Sequence, residues 1–580
     1  MAKTLVIVES PAKAKTITKY LGKDFRVEAS VGHVRDLPKS PKKKTADGRR
    51  LDEGIDIENG FVLDYEVTNP KVVKELRAAA KSASEIYVAT DPDREGEAIA
   101  WHLVEVLKPR IPVRRLVFHE ITQTAIEHAL ATPREIDIAR VQAQETRRVL
   151  DRLVGYGISE VLWRKIQPKL SAGRVQTPAL RLIVDRERSR MSFKRALYWD
   201  LEAIPESSAY PETSFKASLK QLAEKPLAQG KDFDATTGSL APNRAVQHLV
   251  EADANRITSA LANAAFVVAS VDKTPRSQRP RPPFITSTLQ IAGSSQLRFN
   301  ASRTMRAAQT LYQNGYITYM RTDSTTLSSQ ALTATRTEIQ KQYGEEHLPD
   351  TARTYTSRAS AQEAHEAIRP AGETFSHPDA VAADVDADAT RLYKLIWQRT
   401  LASQMRDAQL EKTTVAIEAT AGPDGLATFE AEGDIVTFPG YLLVWQESDS
   451  TDMNQNLLPP LAENEQLQLK SLESLKHETR PPNRWTEASL IAELEKLGIG
   501  RPSTYASILE RIQDVYVERK GTSLIPKWVG FAVIQLMDQH FAGLTNPTFT
   551  ARMEEDLDRI ASQELDPIPW LREFWFGADG

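Results

Sequence analysis

Glu85–Glu97 reads EIYVATDPDREGE. Its first half, Glu85–Thr90, is rich in β-branched and aromatic side chains and predicts a strand. It runs directly into Asp91, Asp93, Glu95 and Glu97, ahead of a helix with Ile99, Leu103, Val106 and Leu107 on one face. Pro92 fixes its own φ and pushes Asp91 out of the helical region, so two carboxylates sit on a short extended link. The chain opens in the same way. Thr4–Val8 (TLVIV) is an apolar strand with Glu9 at its carboxyl end. Ser10-Pro11 then supplies an N-cap and a proline at the first helical position, with Lys13 in the first turn. A third strand is expected at Arg115–His119 (RLVFH), ending at Glu120. Strand, acid, helix in repetition predicts a parallel sheet with a site at the carboxyl ends of its strands.

Clustered carboxylates suit Mg²⁺, which takes hard oxygens, few protein ligands, and water or phosphate in its remaining positions. A single acid in such a place needs no metal, because it complements the helix dipole. Glu9, Asp91, Asp93 and Glu95 together favour a metal site.

A second informative stretch is Gly315–Ser324, GYITYMRTDS. If it is extended, Tyr319 and Arg321 share a face about 7 Å apart. A tyrosine anion costs roughly 4 kcal/mol at neutral pH, so a nucleophilic tyrosine needs a neighbouring cation or proton acceptor. Arginine serves, and it also grips phosphate with paired hydrogen bonds. The plain alternative is a core strand with packed tyrosines.

The 580 residues are enough for several domains. A net charge of −4 gives no global basic signature, so local patches matter. Arg140–Arg190 holds twelve Lys/Arg against five Asp/Glu, and Lys39–Arg50 is a second basic run. Either alone would pass for a solvated face. The absence of cysteine excludes disulfides and thiolate metal sites. The first apolar run is too short for a signal peptide or membrane span and no longer one follows, so a cytosolic protein is expected.

A long helix is expected from Arg140 through Gly155, with Arg147, Arg148 and Asp151 on it and Tyr156, Trp163 and Arg164 following. Aromatics among arginines suit single-stranded DNA. Ser171–Gln176 (SAGRVQ) is a small-residue turn opening another helix, where a phosphate can sit. From Tyr198, and again from Thr413 to Leu469, strand-like runs predict one split β-rich domain. The segment between is helical, and the junction SQRPRPP (277–283) is a stiff hinge. Leu490–Leu497 and Tyr505–Ile512 form a helix pair with Arg501 at the turn.

Several motifs carry a resemblance: VIVESPAKAKTI (6–17), VGHVRDLP (31–38), ATDPDREGEAIAWH (89–102), FHEIT (118–122), RRVLDRLVGY (147–156) and LSAGRVQTPALRLI (170–183). PFITSTLQ (283–290), GYITYMRTDST (315–325), AHEAIRP (364–370) and EKLGIGRPSTYASI (495–508) follow. The first set resembles a Toprim domain. The ordered whole resembles the type IA DNA topoisomerases, bacterial topoisomerase I in particular. The resemblance implies a multidomain α/β and α+β protein forming a toroid. Residues 1–140 would be the Toprim metal-binding domain. Residues 141–197 and 473–580 would be two parts of a helical DNA-binding domain. Residues 198–275 and 406–472 would be two parts of a β-rich hinge domain, and 276–405 the inserted helical domain with the nucleophile.

The same resemblance implies roles. Tyr319 attacks a DNA phosphorus to give a 5′-phosphotyrosine. Arg321 and Lys13 stabilise the phosphate, Glu9 transfers a proton, and Glu9, Asp91, Asp93 and Glu95 hold Mg²⁺. DNA contacts are implied for His33, Arg147, Arg148, Asp151, Tyr156, Trp163, Ser171, Ala172, Gly173, Arg174, Val175, Gln176, Arg321, His365, Arg501 and Thr504, with a mild preference for cytosine upstream of the cut. Neither ATP nor zinc is expected, and the sequence has no GxxxxGK[ST] phosphate loop. The expected partner is single-stranded or underwound DNA, bound by a monomer in the cytoplasm at the bacterial nucleoid. Departures stand beside it. Val515-Tyr516 follows Gln513-Asp514 where many relatives have Arg-Gly, and QIAGSSQLRF (290–299) replaces the usual polar helix. The end, FWFGADG, reads as a cut inside a longer protein or a naturally short form, which weakens the expectation of repeated strand passage.

The function expected is ATP-independent relaxation of negative supercoils by cleavage, strand passage and resealing. A topoisomerase III-like decatenase is the near alternative, and a non-cleaving single-stranded-DNA-binding protein the distant one. A Toprim nuclease or primase leaves the Tyr319 region unexplained.

Overall fold

The computed structural model describes residues 3–38, 51–211, 213–356, 366–446 and 458–577. The basic run Lys39–Arg50 and His365 lie outside the described residues. The chain divides into two compact units, one of Met1–Val184, Arg281–Gln404 and Trp485–Gly580, the other of Asp185–Pro280 and Met405–Arg484.

The first unit contains a parallel sheet with strand order Phe25–Ala29, Lys3–Val8, Ala83–Val88, Val113–Arg115. Leu5, Val6, Ile7 and Val8 are all buried, as expected when helices cover both faces of a parallel sheet. Leu5 and Ile7 pack with Val73, Leu76, Ile99 and Leu103 from flanking helices. Ser10 caps helix Pro11–Tyr20, accepting from the Lys13 N–H at 3.2 Å. The third sequence-predicted strand is shorter and earlier than Arg115–His119. After Arg115 its own guanidinium bonds the Leu116 carbonyl at 2.6 Å, and the backbone turns away as irregular chain.

Helix Ile138–Lys165 runs 28 residues and packs Val149, Leu150 and Leu153 against Met553, Leu557 and Ile560 of helix Pro547–Ala561. The inserted segment is built on helices Thr286–Leu297, Ala301–Gln313, Ser329–Tyr343 and Ala387–Ser403. Gly315–Ser324 is not a strand. It makes one isolated bridge, Ile317 to Pro370. Otherwise side chains and loops hold it: the Thr286 hydroxyl donates to the Met320 carbonyl at 2.8 Å and accepts from the Thr322 N–H at 2.8 Å. Helices Glu487–Lys496 and Tyr505–Val515 bury Leu490, Ile491, Leu494, Ile508, Leu509 and Ile512 in one core with helix Gln176–Met191.

The second unit is a seven-stranded antiparallel sheet of Lys225–Pro226, Ala217–Leu222, Leu426–Phe438, Ala408–Thr420, Phe266–Gln278, Gln466–Glu478 and Leu197–Ser207, in that order. A further pairing between Ala217–Leu222 and Leu197–Ser207 closes six of the strands into a ring. Along Leu197–Ser207 every second side chain is buried, beginning with Trp199, Leu201 and Ala203, as a closed sheet requires.

One glycine position is demanding. A Cβ on Gly96 would lie 2.1 Å from the Asp91 carbonyl oxygen and 2.8 Å from its carbon. Gly96→Ala is therefore expected to shift the acidic link and destabilise the first unit by about 1–3 kcal/mol, read by urea denaturation; an unchanged midpoint would contradict this close packing.

Candidate active site

The acids at the sheet edge are held by backbone geometry. Glu9 follows the first strand, and its Oε1 accepts the Asp91 N–H at 2.6 Å. Lys13 Nζ, buried on the first helix, donates to Asp91 Oδ1 at 2.9 Å and lies 5.1 Å from the Phe118 ring. Burial, and next the Asp91 charge, push the Glu9 carboxyl up to about 8. Burial works against the Asp91 charge too, but the Lys13 ammonium and the Glu9 hydrogen bond outweigh it and hold Asp91 below the usual carboxylate range. At neutral pH the pair is thus a Glu9 acid beside an Asp91 carboxylate.

Behind them Arg115, with none of its surface exposed, ties down the link. Its guanidinium donates to the carbonyls of Thr90 at 2.9 Å and Asp91 at 2.7 Å. Its charge is met by Glu97 at 3.2 Å. Burial opposes the Glu97 charge; Arg115 and Arg134 outweigh it and lower its pKa.

Asp93 is the junction. Its Oδ1 accepts the Gly96 N–H at 2.8 Å, capping helix Arg94–Leu107. Its Oδ2 accepts both the Tyr319 hydroxyl at 2.6 Å and Arg321 Nη1 at 3.1 Å. Tyr319 is 1% exposed, packs edge-on against Tyr312 at 5.2 Å, and donates its backbone N–H to the His119 carbonyl at 2.7 Å. Burial first, then Asp93 and Asp91, push the phenol well above its ordinary pKa, with Arg321 pulling the other way. The hydroxyl is neutral and shielded from solvent.

Arginines expected to meet DNA are spoken for by acids. Arg174 Nη1 bonds Glu554 at 2.6 Å, and its Nε reaches Asp151 at 3.3 Å. Arg147 lies 3.8 Å from Glu95 and 3.6 Å from Asp151. Arg148 pairs with Asp36. Asp558 joins Arg94 and Arg501, the latter at 2.7 Å. Burial disfavours the Glu554 charge, but Arg174, Arg147 and Arg501 bring its pKa down to about 2. The Thr504 hydroxyl closes the Arg501 turn, 2.9 Å from the Arg501 N–H.

The structure thus gathers six of the expected residues at the acidic link in two bonded groups, Glu9 with Asp91 and Lys13, and Asp93 with Tyr319 and Arg321. Tyr156 and Trp163 are exposed on helix Ile138–Lys165. Arg152 lies 4.0 Å over the Tyr156 ring, and the Trp163 indole donates to the Leu170 carbonyl at 2.5 Å. In the following turn Ala172, Arg174, Val175 and Gln176 are buried, and Ser171 and Gly173 partly so. Gln176 Nε2 donates to the Ser171 carbonyl at 3.0 Å, and the Tyr516 hydroxyl, 2.7 Å from the Ser171 N–H, braces the turn. Tyr516 itself is buried, a packing role at one of the departures noted in the sequence. His33 is exposed, its ring 6.1 Å from that of His102. Glu554 and Asp558 went unread in the sequence; their spacing of four on an amphipathic helix was the available signal.

The expected four-acid metal cluster is not assembled. Among the described residues no three His or acidic side chains converge on one point. Lys13 occupies Asp91, Tyr319 and Arg321 occupy Asp93, and Glu95 faces Arg147. Cations inside the same protein fill the acids' valence, so as arranged these residues do not fit Mg²⁺.

Comparison with known proteins follows the same outline. A family model for DNA topoisomerase matches residues 135–572, and one for the Toprim domain matches residues 4–121. DNA topoisomerase 1 of Mycolicibacterium smegmatis is 49% identical over 595 residues, spanning 99% of this chain and 63% of the relative. DNA topoisomerase 1 of Streptomyces coelicolor is 49% identical over 590 residues, spanning 99% and 61%. The chain thus covers a little under two thirds of these relatives' length. The structure of full-length topoisomerase I from Thermotoga maritima superposes with a TM-score of 0.81 at 35% identity, covering 99% of this chain and 89% of that one.

Arg115→Leu removes a buried cation, leaves Glu97 with Arg134 as its remaining ion-pair partner, and takes the guanidinium from the Thr90, Asp91 and Leu116 carbonyls. It is expected to cost about 3–5 kcal/mol in urea denaturation, and Arg115→Lys should rescue only part, since an ammonium cannot span the same set of acceptors. Full stability in the leucine variant would contradict this bracing role.

Proposed function

The chain belongs to the type IA DNA topoisomerase family, and we propose that it breaks and reseals one strand of DNA through Tyr319. The observation that carries this is the shared Asp93 oxygen, which holds a phenol and a guanidinium beside a protonated Glu9 and an Asp91–Lys13 pair. Nucleophile, charge stabiliser and acid lie in one site.

In the proposed reaction the Tyr319 oxygen attacks a backbone phosphorus of single-stranded DNA. The phenolic proton passes to Asp93, its hydrogen-bond acceptor, while Glu9 donates its proton to the leaving 3′-oxygen. The P–O3′ bond breaks and a 5′-phosphotyrosine forms. Arg321 and Lys13 neutralise charge on the phosphate. Resealing is the reverse: the Glu9 carboxylate takes the 3′-hydroxyl proton, that oxygen attacks phosphorus, and Asp93 returns a proton to Tyr319. One ester replaces another, so ATP is not needed. With strand passage between the two steps, negatively supercoiled DNA relaxes.

The 1% exposure of Tyr319 requires its segment to part from the acidic edge before DNA enters. DNA phosphates would then replace Glu554, Asp558 and Asp36 on Arg174, Arg501 and Arg148, with Tyr156 and Trp163 as stacking surfaces. With Tyr319 and Arg321 withdrawn from Asp93, the Asp91, Asp93 and Glu95 carboxylates are the ones that would coordinate Mg²⁺, and no step of the exchange runs through it. All the catalytic groups come from one chain, which supports action as a monomer, and the proposed setting is the bacterial nucleoid.

Trapping tests the nucleophile. End-labelled single-stranded DNA, denatured with the wild-type protein, should give a covalent adduct that Tyr319→Phe does not form; an adduct surviving in the Phe variant would put the reaction elsewhere. Proton donation by Glu9 has its own signature. A raised pKa means the acid form persists up to about pH 8 and is lost above it. Metal-free single-turnover cleavage should therefore hold level below that pH and fall as it is exceeded, while Glu9→Gln slows cleavage by about 10²–10⁴-fold. A rate rising through pH 8 would remove Glu9 from this role.

A further inference from the structure

The second unit carries a cavity unrelated to the Tyr319 site. It has a volume of about 600 Å³, within the range of sites that hold a nucleotide-sized ligand. Its wall is a stack of rings: Tyr198 lies 5.4 Å from Phe233 at 28° and 5.0 Å from His477 at 21°. Gly230 leaves room beside the Tyr198 hydroxyl, which an added Cβ would approach to 3.4 Å.

The charges around it are unequally used. Asp234 Oδ1 already accepts from the Thr236 N–H and hydroxyl and from the Thr237 N–H, at 2.5–2.9 Å. Glu478 is paired with Arg195 at 3.0 Å, and His477 with Asp200 at 2.8 Å. Lys476 and Arg480 line the cavity, are exposed, and form no ion pair among the described residues. The acids are engaged by other partners, whereas Lys476, 5.6 Å over the Trp199 ring, and Arg480 have no acid partner among the described residues. A second cavity of about 320 Å³ shares Tyr198 and Gly230 and is lined by Lys220 and Lys231 together with Asp200, the acid that His477 already engages.

Planar faces beside cations that have no acid partner match a base and its phosphate. We propose that this surface of the β-rich unit binds single-stranded DNA, about two nucleotides long, with a base against the Phe233–Tyr198–His477 stack and phosphates on Lys476 and Arg480. The choice of DNA over a free nucleotide rests on the proposed function; the site itself does not.

The test uses the whole chain. An oligothymidylate carrying 5-iodouracil is photo-crosslinked and the attachment mapped by mass spectrometry, while dTMP competes in a parallel arm. Crosslinks are expected at Tyr198, Phe233 or His477. Lys476→Glu/Arg480→Glu, two exposed positions, should abolish them and weaken binding on the order of tenfold at low salt. Loss of two phosphate contacts should also reduce the slope of log affinity against log salt by about 1.4. Adduct formation at Tyr319 on a short oligonucleotide should be unchanged in this variant. Crosslinks confined to the first unit would overturn the proposal while leaving Tyr319 chemistry intact. Crosslinks blocked by dTMP at equal phosphate concentration would overturn the DNA assignment in favour of a free nucleotide. Crosslinks in the stack without any Tyr319 adduct would uphold the site and count against the cleavage reading instead.

Discussion

The Asp93 carboxylate is the constraint on which the rest of the site depends. One oxygen caps the helix that follows the acidic link. The other is shared by a phenol and a guanidinium from a segment more than two hundred residues away in sequence. A cap of this kind contributes about 1 kcal/mol, so the helix alone keeps Asp93 in place. The second oxygen then fixes where Tyr319 and Arg321 lie in the protein without DNA. It also keeps the Tyr319 phenol neutral and covered.

The same economy recurs around it. Lys13 satisfies Asp91, Glu554 satisfies Arg174, and Asp558 satisfies Arg94 and Arg501. Buried charges are tolerable only when paired, and removing one partner is costly. These internal pairs keep the buried charges of this region matched within the protein itself.

Much of this was legible in the chain. Alternation of apolar strands and acids at Glu9 and Asp91 marked the parallel sheet and its acidic edge, because Pro11 and Pro92 punctuate the strand ends. Tyr319 and Arg321 were read as neighbours, and they are, though through an irregular segment rather than a strand. Their common target was not legible: a contact between residues 93 and 319 leaves no trace in local periodicity. Nor was the acidic face of helix Pro547–Ala561, whose Glu554 and Asp558 look like any solvated pair until Arg174 and Arg501 are placed over them. The third strand lies earlier than Arg115–His119: Val113 and Arg114 already pair in the sheet, and Arg115, its last residue, is buried with its charge met by Glu97. Ring closure in the β-rich unit depends on one pairing between its first two strands, which strand propensity does not encode.

The most direct measurement is the chemical identity of the protein–DNA linkage. The trapped adduct would be digested with protease and nuclease and the modified peptide sequenced by mass spectrometry. The account predicts a 5′-phosphoryl nucleotide on Tyr319. Attachment at Tyr312 or Tyr316, or through a 3′-phosphate, would contradict it.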